Sequence, residues 1–335
     1  MATIHDVAAL AGVSASTVSR ALSGKVIVSA NTKAKVLEAV KALNYQPNPL
    51  AKGLKEGSTR TIAVIVPNLK NLLFPAAISG ITEVASAHGY TIVLCSTDED
   101  LEKEKADVAN LVRRKIDGFV FFTATRKSQH ILDLVALGHP TVLLVRHLPE
   151  APVNSVSVDN ELGAYKGTKF LVERGYRRIA LICGDRDLVL YRERFRGYEK
   201  ALAEEGLPVE FALVRWNVRG WRQGHAAMKE LLQSDRSAWP DAVFASSDPK
   251  ALGIMKAIKE AGLRIPEDMA VMGYDNMELG ELTEPALTTV AQPFYKTGVV
   301  GTERLMRLMQ SKGDAEPEQV KLEPTVLIRQ SVGHV

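Results

Sequence analysis

Side chains suited to holding a small polar molecule stand at the ends of several apolar, strand-like segments of this 335-residue chain. Arg146, Ser247 and Asp275 come at or just after such ends, and Arg194 closes a longer loop after another. A carboxylate can accept hydrogen bonds from two vicinal hydroxyls, and a guanidinium fork can donate two in a fixed geometry. Aromatic rings can cover the apolar faces of a sugar, and the candidates, which could equally be core residues, are Phe74, Trp221 and Phe294. These residue types predict a binding site for a small polar ligand.

Strands and helices alternate from Thr61 onward, and these elements must position the candidate side chains. A βαβα order predicts a parallel sheet with helices on both faces, and because the alternation restarts near Gly163, it predicts two similar lobes. Ligands of open parallel sheets bind beyond the carboxyl ends of the strands. We therefore expect the loops after the strands to line a cleft between the lobes. Two of these loops are expected at 185–194, before a helix that begins at Arg194, and at 216–223, before a helix from Gly224.

The first 60 residues are more basic than the rest of the chain. They contain eight Lys or Arg and three Asp or Glu, a formal charge of +5, so the remaining residues carry −2 of the overall +3. Such asymmetry is typical of a DNA-binding head on a neutral sensor domain.

Three short helices are predicted in this basic head. Thr3 and Asp6 have the spacing of a capping box for a helix over Ile4 to Ala11, Gly12 allows a tight turn, and Ser14 can cap a second helix. A third helix is expected from near Ser29. Two helices joined in this way and braced by a third form a helix-turn-helix, whose second helix enters the major groove. Its outward residues can contact phosphates and bases, and they are Ala15, Ser16, Thr17, Ser19 and Arg20. The alternative is a three-helix bundle with a merely solvated face.

Several motifs in the head occur in the order and spacing of a known family. They are IHDVA at 4–8, GVS at 12–14, TVSR at 17–20 and LNYQPN at 43–48, followed by Ala51 and Leu54. Together they resemble the head of the LacI/GalR family of bacterial transcription regulators, and the resemblance extends over nearly the whole chain. It implies a hinge helix over about Pro49 to Lys55, with Leu54 inserted into the minor groove and further DNA contacts from Ser14, Tyr45, Ala51 and Lys55.

The resemblance also implies the domain organisation. Residues 1–47 would be the helix-turn-helix DNA-binding domain and 48–60 the hinge helix and linker. Residues 61–160 with 292–322 would form the N-terminal effector-binding subdomain, and 161–291 with 323–335 the C-terminal one. The expected fold class is a small all-α helix-turn-helix head plus an α/β bilobal body that is similar to a periplasmic binding protein, with two parallel-sheet, Rossmann-like subdomains.

Within this body the resemblance assigns Arg194 and Asp275 to the effector and places Gln292 at a crossover between the lobes. A structural salt bridge between Arg194 and Asp275 is the alternative. The sequence departs from the family pattern at Ser247, where an asparagine is usual, and at Arg219, near the place of an aromatic lid residue. The identity of the effector therefore cannot be copied from a relative.

The charge of the effector is predicted from the arginines expected near the cleft. Arg146, Arg192, Arg194 and Arg219 would be opposed there mainly by Asp185 and Asp275. Because buried guanidinium groups need partners, this surplus favours a sugar acid or a phosphorylated sugar over a neutral sugar. The alternative is that protein acids outside the pocket neutralise two of the arginines.

The predicted function is that of a sequence-specific DNA-binding regulator of carbohydrate metabolism, a repressor acting as a homodimer on a pseudo-palindromic operator under the control of a small sugar-like effector. We expect a cytoplasmic protein, since neither a signal peptide nor a membrane span is visible, and no cofactor or metal. A sugar-binding carrier or sugar-acting enzyme on the same bilobal fold is the alternative. The nucleotide-binding, hydrolase and zinc-protease motifs are missing, and the S-x-x-K pattern of 247–250 is interpreted as coincidence.

Overall fold

A computed structural model of the chain describes residues 2–23, 28–46, 57–70, 72–311 and 316–334. The chain divides into two units, Met1–Thr59 and Arg60–Val335. Within the described residues, no helix is long and apolar enough to cross a membrane.

The first unit is a small helical domain, as predicted. Its helices are α1 (Ile4–Ala11), α2 (Ala15–Ser23) and α3 (Ala30–Ala42). The capping box of α1 is present: the Asp6 N–H donates to Thr3 Oγ1 at 3.3 Å, and the Thr3 N–H donates to the Asp6 carboxylate at 2.7 Å. Gly12 ends α1 with φ +67°, a left-handed conformation that glycine adopts without strain. Val7, Val18 and Val36 are fully buried where the three helices meet.

The second unit contains two six-stranded sheets. The first sheet consists of β1 (Thr61–Val66), β2 (Thr91–Ser96), β3 (Gly118–Phe121), β4 (Thr141–Leu144), β5 (Asn154–Val158) and β11 (Gln319–Leu322), in the order β11-β5-β4-β3-β1-β2. All its strand pairs are parallel. Its helices are α4 (Phe74–Ala87), α5 (Leu101–Arg113), α6 (Gln129–Ala136) and α11 (Phe294–Gln310). We call this assembly the first lobe.

The second lobe repeats the pattern. Its sheet consists of β6 (Ile179–Ile182), β7 (Val214–Arg215), β8 (Ala242–Ala245), β9 (Ala270–Asp275), β10 (Thr288–Ala291) and β12 (Thr325–Leu327), in the order β12-β10-β9-β8-β6-β7. Only β12, at the edge, runs antiparallel to its neighbour. Its helices are α7 (Asn160–Glu173), α8 (Val189–Glu204), α9 (Gly220–Leu231) and α10 (Asp248–Glu260), with short 3-10 turns at Phe211–Leu213, Arg236–Ala238 and Glu278–Gly280. The two lobes of parallel sheet confirm the predicted fold class.

The chain passes between the lobes three times. It leaves the first sheet after β5, returns from β10 to α11, and crosses again between β11 and β12. Strand β5 was not predicted, because its sequence NSVSV has few large apolar residues. It is buried nonetheless, and Asn154 Oδ1 accepts hydrogen bonds from Arg304 Nε at 2.7 Å and the Glu318 N–H at 3.0 Å. Polar strands can be buried when such partners satisfy them.

Two helix starts were predicted too late. Helix α8 begins at Val189, so Arg194 lies inside a helix and not at the end of a loop. Helix α9 begins at Gly220, which places Trp221 in its first turn. The apolar residues Leu188 to Leu190 lie in the segment predicted as a loop, but Leu190 belongs to the first turn of α8, where it is buried beside the cleft.

Candidate ligand cleft and nucleic-acid interface

A cleft of about 1190 Å³ lies between the two lobes. Loops after the strands of both sheets line it, as expected for ligand sites in open parallel sheets. All eight residues predicted to contact a ligand lie on its surface, namely Phe74, Arg146, Arg194, Trp221, Ser247, Asp275, Gln292 and Phe294. The fold therefore brings together side chains that are up to 220 positions apart, between Phe74 and Phe294.

Arg194 is a buried polar group of the second lobe whose side chain is held by several contacts. Its side chain is 3% exposed, Nε donates to Asn160 Oδ1 at 2.9 Å, and Nη1 donates to the Ser246 carbonyl. The ring of Tyr274 stacks on the guanidinium with its centroid 3.6 Å from Cζ. Asp275 Oδ1 is 3.8 Å from Nη1, too far for a direct hydrogen bond. Neutral groups thus make the direct hydrogen bonds of Arg194, and the expected alternative, an ion pair with Asp275, is also present at 3.8 Å.

Asp275 ends strand β9 in an unusual backbone conformation. Its φ is +126° and that of Asn276 is +63°, both in the region that non-glycine residues rarely adopt. The carboxylate accepts hydrogen bonds from Gln292 Nε2 at 2.5 Å and from the backbone N–H of Asp248. Burial raises the pKa of Asp275, while the charges of Arg194 and Lys250 oppose that rise.

Asp248, which begins α10, holds the loop after Asp275 in place. It is fully buried, and its carboxylate accepts from the Met277 N–H at 2.7 Å and from Thr289 Oγ1 at 2.7 Å. Burial and the negative charge of Asp275 raise the pKa of Asp248. A Cβ at Gly273 would collide with the same carboxylate, so glycine is needed there. Asp248 therefore helps to position Asp275 by fixing the backbone of the residues that follow it.

Arg146 is the main cation of the first-lobe wall. Nη1 donates to the Thr123 carbonyl at 3.2 Å, and Nη2 lies 3.6 Å from Glu99 Oε1. Burial lowers the pKa of Arg146, although the charge of Glu99 works against that shift. Arg146 thus faces the cleft with one distant carboxylate partner.

Glu99 also binds Arg219 of the second lobe across the mouth of the cleft. Arg219 Nη1 lies 3.3 Å from Glu99 Oε2, and Nη2 lies 3.0 Å from Asp185 Oδ2. Arg192, expected near the cleft, instead donates to the carbonyls of Arg186 and Asp187 and does not line it. Its guanidinium therefore closes the 186–187 turn of the loop before α8.

A buried polar cluster joins the lobes near the chain crossings. Glu193 of α8 lies 3.3 Å from His147 Nε2 of the first lobe, and its other oxygen accepts from Asn160 Nδ2 at 3.3 Å. Lys321 of β11 lies 3.8 Å from the same carboxylate. Burial disfavours the charged form of Glu193, but its hydrogen bond with His147 and the charge of Lys321 favour that form. Together they outweigh burial and lower the pKa of Glu193.

The three predicted aromatic residues fall into two groups. Phe74 and Phe294 are mostly buried in the apolar core of the first lobe, and Phe74 packs edge to face on Phe122 with 5.2 Å between centroids. Each is only 7% exposed, although both line the cleft. Trp221 is 44% exposed at the rim, where its ring lies below Arg222 and Lys256.

Lys250 and Tyr191 line the cleft but were not predicted. Lys250 is 2% exposed, and its Nζ lies 2.9 Å from Ser247 Oγ and 4.8 Å from the centroid of the Tyr191 ring. The spacing of three residues between Ser247 and Lys250 puts both on one face at the start of α10. That spacing had been interpreted only as a coincidental catalytic motif, and it could have identified Lys250.

On the helical head, the predicted DNA-contacting residues cluster at the start of α2. Ser14 Oγ accepts from the Thr17 N–H at 3.2 Å and shares hydrogen bonds of 2.8 Å with the hydroxyls of Ser16 and Thr17. Ser16 and Arg20 are exposed and Ala15 half-buried, whereas Tyr45 packs against the core of the head. Ala51, Leu54 and Lys55 lie outside the described residues.

Comparisons with known proteins match both units. Residues 3–48 match the model of bacterial regulatory proteins of the lacI family, and residues 168–332 match a periplasmic binding protein-like domain. The transcriptional repressor PurR of Vibrio cholerae is 37% identical over 338 residues, which cover 99% of this chain and 98% of PurR.

Two solved structures are similar over nearly the full length. A lac repressor dimer bound to operator and the anti-inducer ONPF has a TM-score of 0.89 at 29% identity, covering 99% of both chains. A complex of the transcriptional regulator CelR with cellobiose has a TM-score of 0.76 at 33% identity, covering 99% of this chain and 100% of CelR.

Proposed function

Because the chain belongs to the LacI family of bacterial regulatory proteins, we propose that it is a cytoplasmic repressor of carbohydrate-metabolism genes, released from or recruited to its operator by a small anionic sugar derivative. The observation that carries the effector part is that two guanidinium groups, the buried one of Arg194 and the half-buried one of Arg146, line one cleft with Asp275.

The DNA-binding part is supported by the head. Its second helix presents Ser16 and Arg20 to solvent beside Thr17, as a recognition helix must, and the first 60 residues carry a formal charge of +5. The similar lac repressor structure is a dimer on its operator. We therefore propose a homodimer that places one recognition helix in each half-site of a pseudo-palindrome.

The effector part is supported by the chemistry of the cleft. Asp275, Gln292 and Arg194 supply acceptors and donors for hydroxyl groups, and Trp221 offers a ring face at the rim. The similar CelR structure holds cellobiose, a neutral sugar. In the chain described here, the guanidinium groups of Arg146 and Arg194 in the cleft wall favour a sugar acid or a sugar phosphate over a neutral sugar.

The test begins with full-length protein and a random DNA library. We expect selection to enrich a palindrome, and binding to it to change when an anionic sugar is added. Leu54→Ala should weaken binding to the selected site far more than binding to random DNA, because an inserted side chain must offset the cost of bending, of order 1–6 kcal/mol. Enrichment of no sequence, or conversion of a bound sugar into product, would favour a carrier or an enzyme.

A further inference from the structure

The ammonium group of Lys250 lies deep in the cleft, and its direct contacts are neutral groups. It donates to Ser247 Oγ and lies over the ring of Tyr191. Among the described residues, no carboxylate oxygen lies within 4.0 Å of Nζ. A lysine ammonium has three N–H donors, and a buried charge of this kind is costly unless a partner satisfies it.

The backbone of Lys250 is fixed by close packing of two helices. A Cβ at Gly224 of α9 would collide with the backbone of Lys250, and one at Gly253 of α10 would collide with the carbonyl of Trp221. The helices therefore approach each other at these glycines as closely as their backbones allow. Lys250 cannot turn away from the cleft by a shift of its helix.

Two cations lie near the ring of Tyr191. Its centroid lies 4.8 Å from Lys250 Nζ and 5.6 Å from Arg194 Cζ. Of the carboxylates nearby, Asp275 lies 3.8 Å from Arg194 Nη1, and Glu99 is shared by Arg146 and Arg219. Both are nearer to an arginine than to Lys250, whose ammonium has neutral groups as its direct partners.

We propose that Lys250, together with Ser247 and Tyr191, binds the negatively charged group of the effector and makes the cleft select anionic over neutral sugars. The inference rests on the proposed function, since it takes the cleft to be the effector site. A carboxylate or phosphate oxygen at this point would receive hydrogen bonds from Nζ and from the hydroxyls of Ser247 and Tyr191. The sugar hydroxyls would then extend toward Arg194 and Asp275. Lys250 is thus a specificity-determining residue.

The experiment measures selectivity by calorimetry on the full-length protein. The probes are gluconate, glucuronate and glucose 6-phosphate, with glucose as the neutral reference. Lys250→Met should weaken the tightest-binding anion by at least about 30-fold, because one side of a desolvated charge pair is lost, while glucose binding changes by less than about threefold. Lys259→Met is the matched control, since Lys259 lies on the same helix, is exposed and does not line the cleft. It should leave the ratio of the two affinities unchanged.

The outcomes separate this inference from the proposed function. If the wild type binds its palindrome and prefers an anion, but Lys250→Met keeps that preference, the role of Lys250 is overturned and the proposed function stands. If the wild type binds glucose alone or none of the three anions, the anionic effector is overturned as well. A preference for the two carboxylates identifies a sugar acid, and one for glucose 6-phosphate identifies a sugar phosphate; either supports the proposal. If Lys250→Met does not fold, the ratio of anion affinity to glucose affinity is measured on Lys250→Gln instead. The glutamine removes the charge, but its amide can keep the hydrogen bond to Ser247.

Discussion

The second-lobe face of the cleft holds its polar groups through short hydrogen bonds between buried atoms, whereas the first-lobe face holds Arg146 through one carbonyl and an ion pair of 3.6 Å. Arg194, Asp248 and Asp275 all have partners within 3.0 Å in their own lobe or at its crossing. The carboxylate that faces Arg146 is shared with Arg219 of the opposite lobe.

This difference indicates an order of events in binding. A face whose side chains are already oriented can bind the ligand without further loss of side-chain entropy. On the first-lobe face, the carboxylate partner of Arg146 is distant, so Arg146 can exchange that partner for the ligand. We infer that the ligand binds first to the second lobe and that Arg146 engages it as the lobes close.

The largest difference between the two faces should appear on truncation of their arginines. Arg194→Ala should weaken effector binding by about 2–5 kcal/mol and abolish the operator response, while operator binding itself survives. The matched substitution Arg146→Ala should cost about 1.5 kcal/mol, in the range of one hydrogen bond to a charged group. Calorimetry on both variants measures the two losses of effector-binding free energy. Equal losses would mean that the side chains of the two faces are equally well oriented before the ligand binds.

A loss of stability should follow from Asp248→Ala. The substitution leaves the Met277 N–H and the Thr289 hydroxyl buried without an acceptor, at about 1–3 kcal/mol for each. Urea denaturation of the protein should show the loss, and Asp248→Asn, which keeps one acceptor oxygen, should show a smaller one. If Asp248→Ala unfolds at the wild-type midpoint, the 275–277 loop does not depend on this carboxylate.

Acidity should affect the second-lobe face through Asp275. Because burial raises the pKa of Asp275, the group contributes stability at low pH that is lost as the pH rises through the raised pKa. The free energy of unfolding of the wild type should therefore fall relative to that of Asp275→Asn between about pH 4 and 8, by on the order of 1 kcal/mol. Denaturation curves of the two proteins across this range give the difference, and a constant offset would show that Asp275 ionises as if exposed.

The smallest effect is expected at the mouth of the first lobe. Glu99 and Arg219 are both well exposed, so their ion pair contributes about 0–1 kcal/mol. Glu99→Gln should tighten binding of an anionic effector by less than about fivefold, since it frees Arg146 from its competitor. A loss of affinity of tenfold or more would instead assign to Glu99 the task of holding the lobes closed.

Local sequence patterns predicted the head and the lobes better than they predicted the cleft. Thr3, Asp6 and Gly12 mark both ends of α1 because helix caps depend on neighbours in sequence. The eight candidate residues lie on one cleft because parallel strands end at one edge of each sheet; whether they bind the effector stays a prediction. Lys250 was missed because the spacing of Ser247 and Lys250 was interpreted as a coincidental motif. Tyr191 was missed because its contact with Lys250 joins two helices, and a pattern in either segment alone does not show that contact.

Glu193 and Arg194 are consecutive residues of α8 whose side chains contact different parts of the protein. Glu193 ties α8 to His147 and Lys321 of the first lobe, close to the chain crossings, whereas Arg194 faces the cleft. Separating the lobes at this point would leave a buried carboxylate without its partners, so the lobes can rotate about it more readily than they can part. A ligand that binds Arg194 therefore acts next to the buried contact that holds the lobes together, whereas the Glu99–Arg219 ion pair at the mouth is exposed and contributes little.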